Sequence, residues 1–212
     1  MRVSGFQDRR IKPDSAIPPT RRARASVAPP GRGEKRLAAP PARALPARIT
    51  SSAEETRVES DEVYMRMALD EAAKAAALGE VPIGAVVVRD GAVVAAAFNR
   101  RELDCDPAAH AELLAIREAS RRLRRWRLTD CTVYVTLEPC PMCAGLMHQA
   151  RVARCVYAAP DPKAGALGTL YDLHDDVRLN HRFEVTRGVL ADESAETLRR
   201  FFRELRGKGD EE

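Results

Sequence analysis

The chain carries His110-Ala-Glu112 and, with Cys140 following the glutamate by 28 residues, Pro139-Cys140-Pro-Met-Cys143. This pairing constrains the fold more than any other feature, because two distant segments must meet around one ion. Zinc favours thiolate sulfur and neutral imidazole nitrogen, so His110, Cys140 and Cys143 form a three-ligand set that leaves one coordination position for solvent. Three protein ligands define a catalytic site rather than a structural staple. Cys140 and Cys143 are three apart, and with Pro141 at the first position of a helix both sulfurs fall at its first turn. The helix start favours thiolate over thiol. Glu112 stands two residues past His110, a spacing that does not share a helix face. It is therefore free to act beside the metal as acid and base. Read alone, it is also compatible with a solvated glutamate that favours the helix dipole.

Other metal readings are weaker. A lone CxxC is as often a redox pair or a structural half-site. A zinc knuckle would use His148, five residues after Cys143, but its fourth ligand is missing, because residue 153 is Ala and the next cysteine is Cys155.

Charge divides the chain. Residues 1–50 hold 12 Lys+Arg against 3 Asp+Glu, net +9, and the remainder holds 23 against 28, net −5. The leading segment also contains 8 of the 14 prolines and a single aromatic, Phe6. Such a composition cannot offset ordering entropy by burial. Residues 1–58 are expected to be a disordered basic extension, and 59–212 a single folded domain whose compact body begins near Asp61. The extension has three readings: an organelle transit peptide, a basic tail that adds nonspecific RNA affinity, or a dispensable segment upstream of the true start. Because the body is net negative, any nucleic-acid binding would have to come from local patches. The five cysteines are odd in number, and no apolar signal core follows Met1. A reducing cytoplasm is expected, with no membrane span.

Met65, Leu69 and Ala72 predict a packing helix over 62–78, stopped by Gly79. Ile83–Val88 and Ala92–Phe98 flank Asp90-Gly91 and predict a hairpin. Asp106-Pro107 is expected to open a helix running through His110 to the arginines at 121–127. Strands are expected at 132–137, 152–158 and 183–186, and a last helix at 194–206. This alternation predicts an α/β sandwich with helices on both sheet faces.

Several blocks carry a resemblance: Val81-Pro-Ile-Gly-Ala-Val, Phe98-Asn99-Arg100, Asp106-Pro-Ala-Ala-His110-Ala-Glu112, Val133 to Gly145 around the two cysteines, Asp161-Pro-Lys163-Ala-Gly-Ala-Leu-Gly168, and Gly188 to Glu193. Together they resemble the bacterial tRNA-specific adenosine deaminases of the cytidine deaminase superfamily, whose signature is H-x-E with P-C-x-x-C. The resemblance implies a three-layer α/β/α sandwich around a five-stranded mixed sheet and one Zn2+ per subunit. It also implies hydrolytic conversion of adenosine to inosine at the first anticodon position of tRNA, arginine tRNA included. Glu112 would shuttle the proton. Asn99, Ile83 and the backbone of Ala111 would meet the base, and Asp161, Lys163, Phe202 and Arg203 the flanking nucleotides. A homodimer is implied as well. By chemistry alone, Asn99 could be a turn former and Asp161 and Lys163 a solvated turn. Glu204 departs from the more basic pattern of the terminal helix. Arg121, Arg122, Arg124, Arg125 and Arg127 around Trp126 leave two readings, an RNA-facing patch or a capped helix end with Leu123 and Trp126 in the core. Free-base or nucleoside deamination and a noncatalytic zinc-containing RNA-binding protein remain the rival functions.

Overall fold

The computed structural model describes residues 51–209; of the extension expected to be disordered over 1–58, residues 1–50 lie outside them, and residues 51–58 are helical instead, as the start of α1. The elements run α1 (Ser51–Ala77), β1 (Gly84–Arg89), β2 (Ala92–Phe98), α2 (Ala111–Leu123), β3 (Cys131–Leu137), α3 (Pro141–Ala150), β4 (Arg154–Ala159), β5 (Glu184–Arg187) and α4 (Ala191–Gly209). They form one five-stranded sheet in the order β2-β1-β3-β4-β5. β1 pairs antiparallel with β2 and β3, whereas β3, β4 and β5 run parallel. Asp90 and Gly91 both take positive φ, 49° and 76°, which is what a two-residue hairpin of matching twist requires.

Alternation along the central strands sends side chains to two cores. Ala85, Val87, Val133, Val135, Cys155 and Tyr157 face α2 and α3, together with Ile116 and Met147. Val86, Val88, Tyr134 and Val156 face Met65 and Ala68 of α1. With both faces covered, β1 and β4 read as unbroken apolar runs rather than alternating ones. The result is the expected three-layer α/β/α sandwich. α1 lies close to β1 because Ala68 and Ala72 meet Gly84, where an added Cβ would overlap the helix backbone.

Two boundaries differ most from expectation. α1 begins at Ser51, earlier than the apolar spacing indicates, because polar residues can continue a helix without a core-facing stripe. α2 begins at Ala111, not at Asp106-Pro107. There the Asp106 carboxylate accepts the Ala108 N–H at 2.8 Å, and Ala109 N–H bonds Asp106 O at 3.0 Å, which makes a side-chain-closed turn instead of a helical one.

One buried charge pair locks the layers. Arg154 on β4 grips Asp61 of α1 with two bonds of 2.8 and 2.5 Å, Tyr134 donates to the same carboxylate at 2.8 Å, and Thr186 of β5 accepts from Arg154 at 2.7 Å. Removing one partner strands the other charge out of water. Asp61→Ala is expected to cost about 3–5 kcal/mol in denaturant unfolding. A loss below about 1 kcal/mol, the scale of an exposed pair, would contradict the pairing.

Candidate active site

Two prolines shape the metal segment. Pro139 keeps Glu138 extended as β3 ends, and Pro141 does the same to Cys140, which takes φ −73°, ψ 172° as the N-cap of α3. Pro141 then occupies the first helical position, where its missing N–H costs nothing. Cys143 follows within the first turn and is fully buried. His110 is the N-cap of α2 in the same extended conformation, φ −73°, ψ 146°. The sheet thus aims two helix N-termini at one point, and both favour negative ligands there.

At that point the three side chains converge. The Sγ atoms of Cys140 and Cys143 are 3.7 Å apart, and His110 Nδ1 lies 3.8 and 3.5 Å from them. A tetrahedral zinc with Zn–S of ~2.3 Å and Zn–N of ~2.05 Å has ligand-to-ligand edges of about 3.8 Å (S–S) and about 3.6 Å (S–N). The set therefore fits zinc without rearrangement, and it is the one such cluster among the described residues. A hydrogen bond from the Cys143 thiol, with a second contact from His110, holds Cys140 down to about 4. The same bond and burial push Cys143 up.

Glu112, in the first turn of α2, is 4% exposed. Burial pushes its carboxyl above the ordinary range, against the opposing pull of its backbone N–H and of His110. A carboxyl so placed can accept and return a proton. Ala111 beside it is fully buried, and Ile83 packs on the core edge just before β1. Asn99 closes β2, its N–H bonded to Ile83 O at 2.9 Å. Arg100 N–H bonds Ala109 O at 3.0 Å, which sets this strand end beside the His110 segment.

Asp161 and Lys163 sit in the loop after β4, where the Asp161 carboxylate accepts the Lys163 N–H at 2.9 Å and Lys163 itself is exposed. Phe202 and Arg203 are exposed on α4, and Arg203 reaches Glu196 of its own helix at 3.3 Å. No contact joins them to the metal ligands among the described residues. Trp126 corrects one expectation: it is 54% exposed, with the Arg127 guanidinium 4.1 Å from its ring, and only Leu123 packs on the core. The chain turns left-handed at Arg124, which ends α2 before the indole can follow Leu123 inward. Arg122 pairs with Glu118, and Arg125 with Asp130.

Two buried carboxylates escaped the sequence reading. Glu138 sits inside the loop after β4, accepting the N–H groups of Asp161, Leu167 and Thr169 at 3.0–3.1 Å and the Thr169 hydroxyl. A Cβ on Gly165 would collide with that carboxylate, so the glycine belongs to the same device. Glu138 thereby ties the Lys163 loop to the strand end that delivers Cys140. Its position directly before Pro139-Cys140 was the available signal. The other is Glu80, hydrogen-bonded to Asn99, for which the sequence offered no signal.

An α/β sandwich with an open His/Cys/Cys set beside a buried glutamate defines a zinc-dependent deaminase. The family model for the cytidine and deoxycytidylate deaminase zinc-binding region matches residues 58–159. The tRNA-specific adenosine deaminase of Bacillus subtilis is 53% identical over 148 residues, which is 70% of this chain and 92% of the relative. The chain belongs to the tRNA-specific adenosine deaminase family. A solved structure from work on A-to-I editing by tRNA:A34 deaminases superposes with a TM-score of 0.62 at 44% identity, covering 64% of this chain and 98% of that one. The guanine deaminase of Nitrosomonas europaea is more distant, with a TM-score of 0.59 at 27% identity over 66% of this chain and 83% of its own.

Proposed function

We propose that the chain hydrolyses the 6-amino group of adenosine at the first anticodon position of tRNA, yielding inosine and ammonia. The observation that carries this reading is the metal-fitting His110, Cys140 and Cys143 set with Glu112 buried beside it. Zinc held by these three residues supplies a Lewis acid that lowers the pKa of water toward neutrality. Glu112 would take one proton of the attacking water and give it to the ring nitrogen, then take the second from the new C6 hydroxyl and give it to the amine, which departs as ammonia while inosine keeps the ring proton. One carboxylate serves as base and acid, which suits its raised affinity for a proton. Ile83, Asn99 and the Ala111 backbone contact the base. Asp161, Lys163, Phe202 and Arg203 hold nucleotides around a base turned out of the anticodon loop, arginine tRNA being the expected substrate.

The active unit is a homodimer. A groove of about 400 Å³ between α2 and α3, lined by Ile116, Trp126, Leu146 and Gln149, supports a second copy packing there. The enzyme works in the cytoplasm, and of the residues 1–58 read as an appendage to the deaminase domain at 59–212, those from Ser51 onward join that domain through α1. No helix among the described residues is long and apolar enough to cross a membrane.

Mass spectrometry of arginine tRNA treated with the purified protein is expected to show inosine at the first anticodon position. Lys163→Ala and Arg203→Ala should weaken stem-loop binding, each reducing the salt slope by about 1 while zinc content stays the same. Turnover of free guanine without inosine in tRNA would select the free-base reading, which the similarity to the Nitrosomonas enzyme keeps as the alternative.

A further inference from the structure

A primary amide carries an acceptor at one end and two donors at the other, and a half-turn about its terminal bond exchanges them. An asparagine that reads a substrate must therefore be held in one flip, or it presents either pattern. Asn99 is held. Its Nδ2 donates to Glu80 Oε2 at 2.9 Å, and because a carboxylate accepts only, the opposite flip would set oxygen against oxygen. Glu80 is fixed in turn, since its Oε1 accepts the Leu103 N–H at 2.7 Å. The glutamate is 1% exposed and the asparagine 3%. With the Asn99 backbone bonded to Ile83 and its neighbour Arg100 bonded to Ala109, neither partner can drift. The Asn99 side chain makes no other hydrogen bond among the described residues, so Oδ1 and one N–H remain for a ligand.

We propose that Glu80 is a specificity-determining positioning residue, which locks the Asn99 amide so that the site presents a hydrogen-bond acceptor beside a single donor. The assignment rests on the reading of Asn99 as a base contact. It explains a choice that packing does not. A buried carboxylate is costly to desolvate, and glutamine has the same shape and carries no charge. Glutamine would also keep the Leu103 bond, so a residue needed only to staple that loop would tolerate the exchange. It would not keep the lock. The Leu103 N–H requires an acceptor, so the amide oxygen of a glutamine must turn toward it and its nitrogen toward Asn99. Asn99 must then reverse, spend Oδ1 on the glutamine, and face the ligand with two donors and no acceptor. One isosteric substitution thus inverts what the site reads.

The test compares steady-state deamination of an anticodon stem-loop RNA by the unaltered chain, Glu80→Gln, Asn99→Asp and the double variant, with zinc content and thermal unfolding measured on each. Glu80→Gln is expected to keep its zinc and lower kcat/KM by about 10- to 100-fold, the loss when a substrate donor meets a donor in place of an acceptor. Asn99→Asp sets two carboxylates against each other and should be impaired as severely. In the double variant the glutamine donates to the new aspartate, whose second oxygen again offers an acceptor but no donor, so kcat/KM should rise about 10-fold above the worse single variant through the coupling of the pair without reaching that of the unaltered chain. A Glu80→Gln enzyme within about 3-fold of normal, or a double variant no better than the worse single one, would overturn the assignment. So would loss of zinc or of cooperative unfolding in both Glu80→Gln and the double variant, because Glu80 would then be a structural carboxylate. Failure of the unaltered chain to form inosine would overturn the substrate reading and this assignment together. Inosine from the unaltered chain with Glu80→Gln unimpaired would overturn the assignment alone.

Discussion

Glu112→Gln is expected to retain one zinc per chain and a normal fold while turnover falls by at least about 100-fold, the low end for a positioned general acid and base. The amide fills the same volume in the first turn of α2, where the side chain is nearly inaccessible. What it lacks is a site for the travelling proton. Burial holds the Glu112 carboxyl above the usual carboxylate range, so the group is poised both to take a proton from water and to return it to the base. Single-turnover inosine formation, read beside metal analysis of the same preparation, checks both halves of the expectation. Near-normal turnover with full zinc would mean that the proton moves by another route.

The metal set and the layer order were legible because each rests on residue types with narrow uses. Pro141 at a helix start, the cysteine spacing and the hairpin at Asp90-Gly91 each determine local geometry without tertiary help. The strands followed from short apolar runs bounded by turn residues. What stayed hidden depends on packing partners remote in sequence. Asp61 looks like any charged helix residue until Arg154, 93 positions away, is found against it. Glu80 is equally silent, since nothing local distinguishes a buried carboxylate that collects N–H groups from a solvated one, whereas Glu138 is marked only by its place directly before Pro139-Cys140. Trp126 misled for the converse reason: helical spacing extended past Leu123 points it inward, whereas the left-handed turn at Arg124 has already ended the helix. The start of α2 was misplaced because Asp-Pro can open either a helix or a turn, and the Asp106 side chain closes a turn here.

Loss of a metal ligand should have the widest consequences. Cys140→Ser and Cys143→Ser are each expected to remove most of the zinc and to abolish inosine formation, because the remaining sulfur and the His110 nitrogen cannot make a closed three-point clasp. Cys143 should be the more damaging of the two. It is fully buried beneath the site, whereas Cys140 is half-exposed at the helix cap. Cys105 offers the contrast, being exposed and outside the cluster of ligand atoms, so Cys105→Ser should keep its metal. Cys155 is the stricter control. It lies buried in the core that α3 covers and outside the cluster of ligand atoms formed by His110, Cys140 and Cys143, which makes it a packing residue. Cys155→Ala should lose stability yet retain one zinc per chain by metal analysis. Full zinc in Cys140→Ser, or zinc lost from a folded Cys155→Ala, would require a different ligand set.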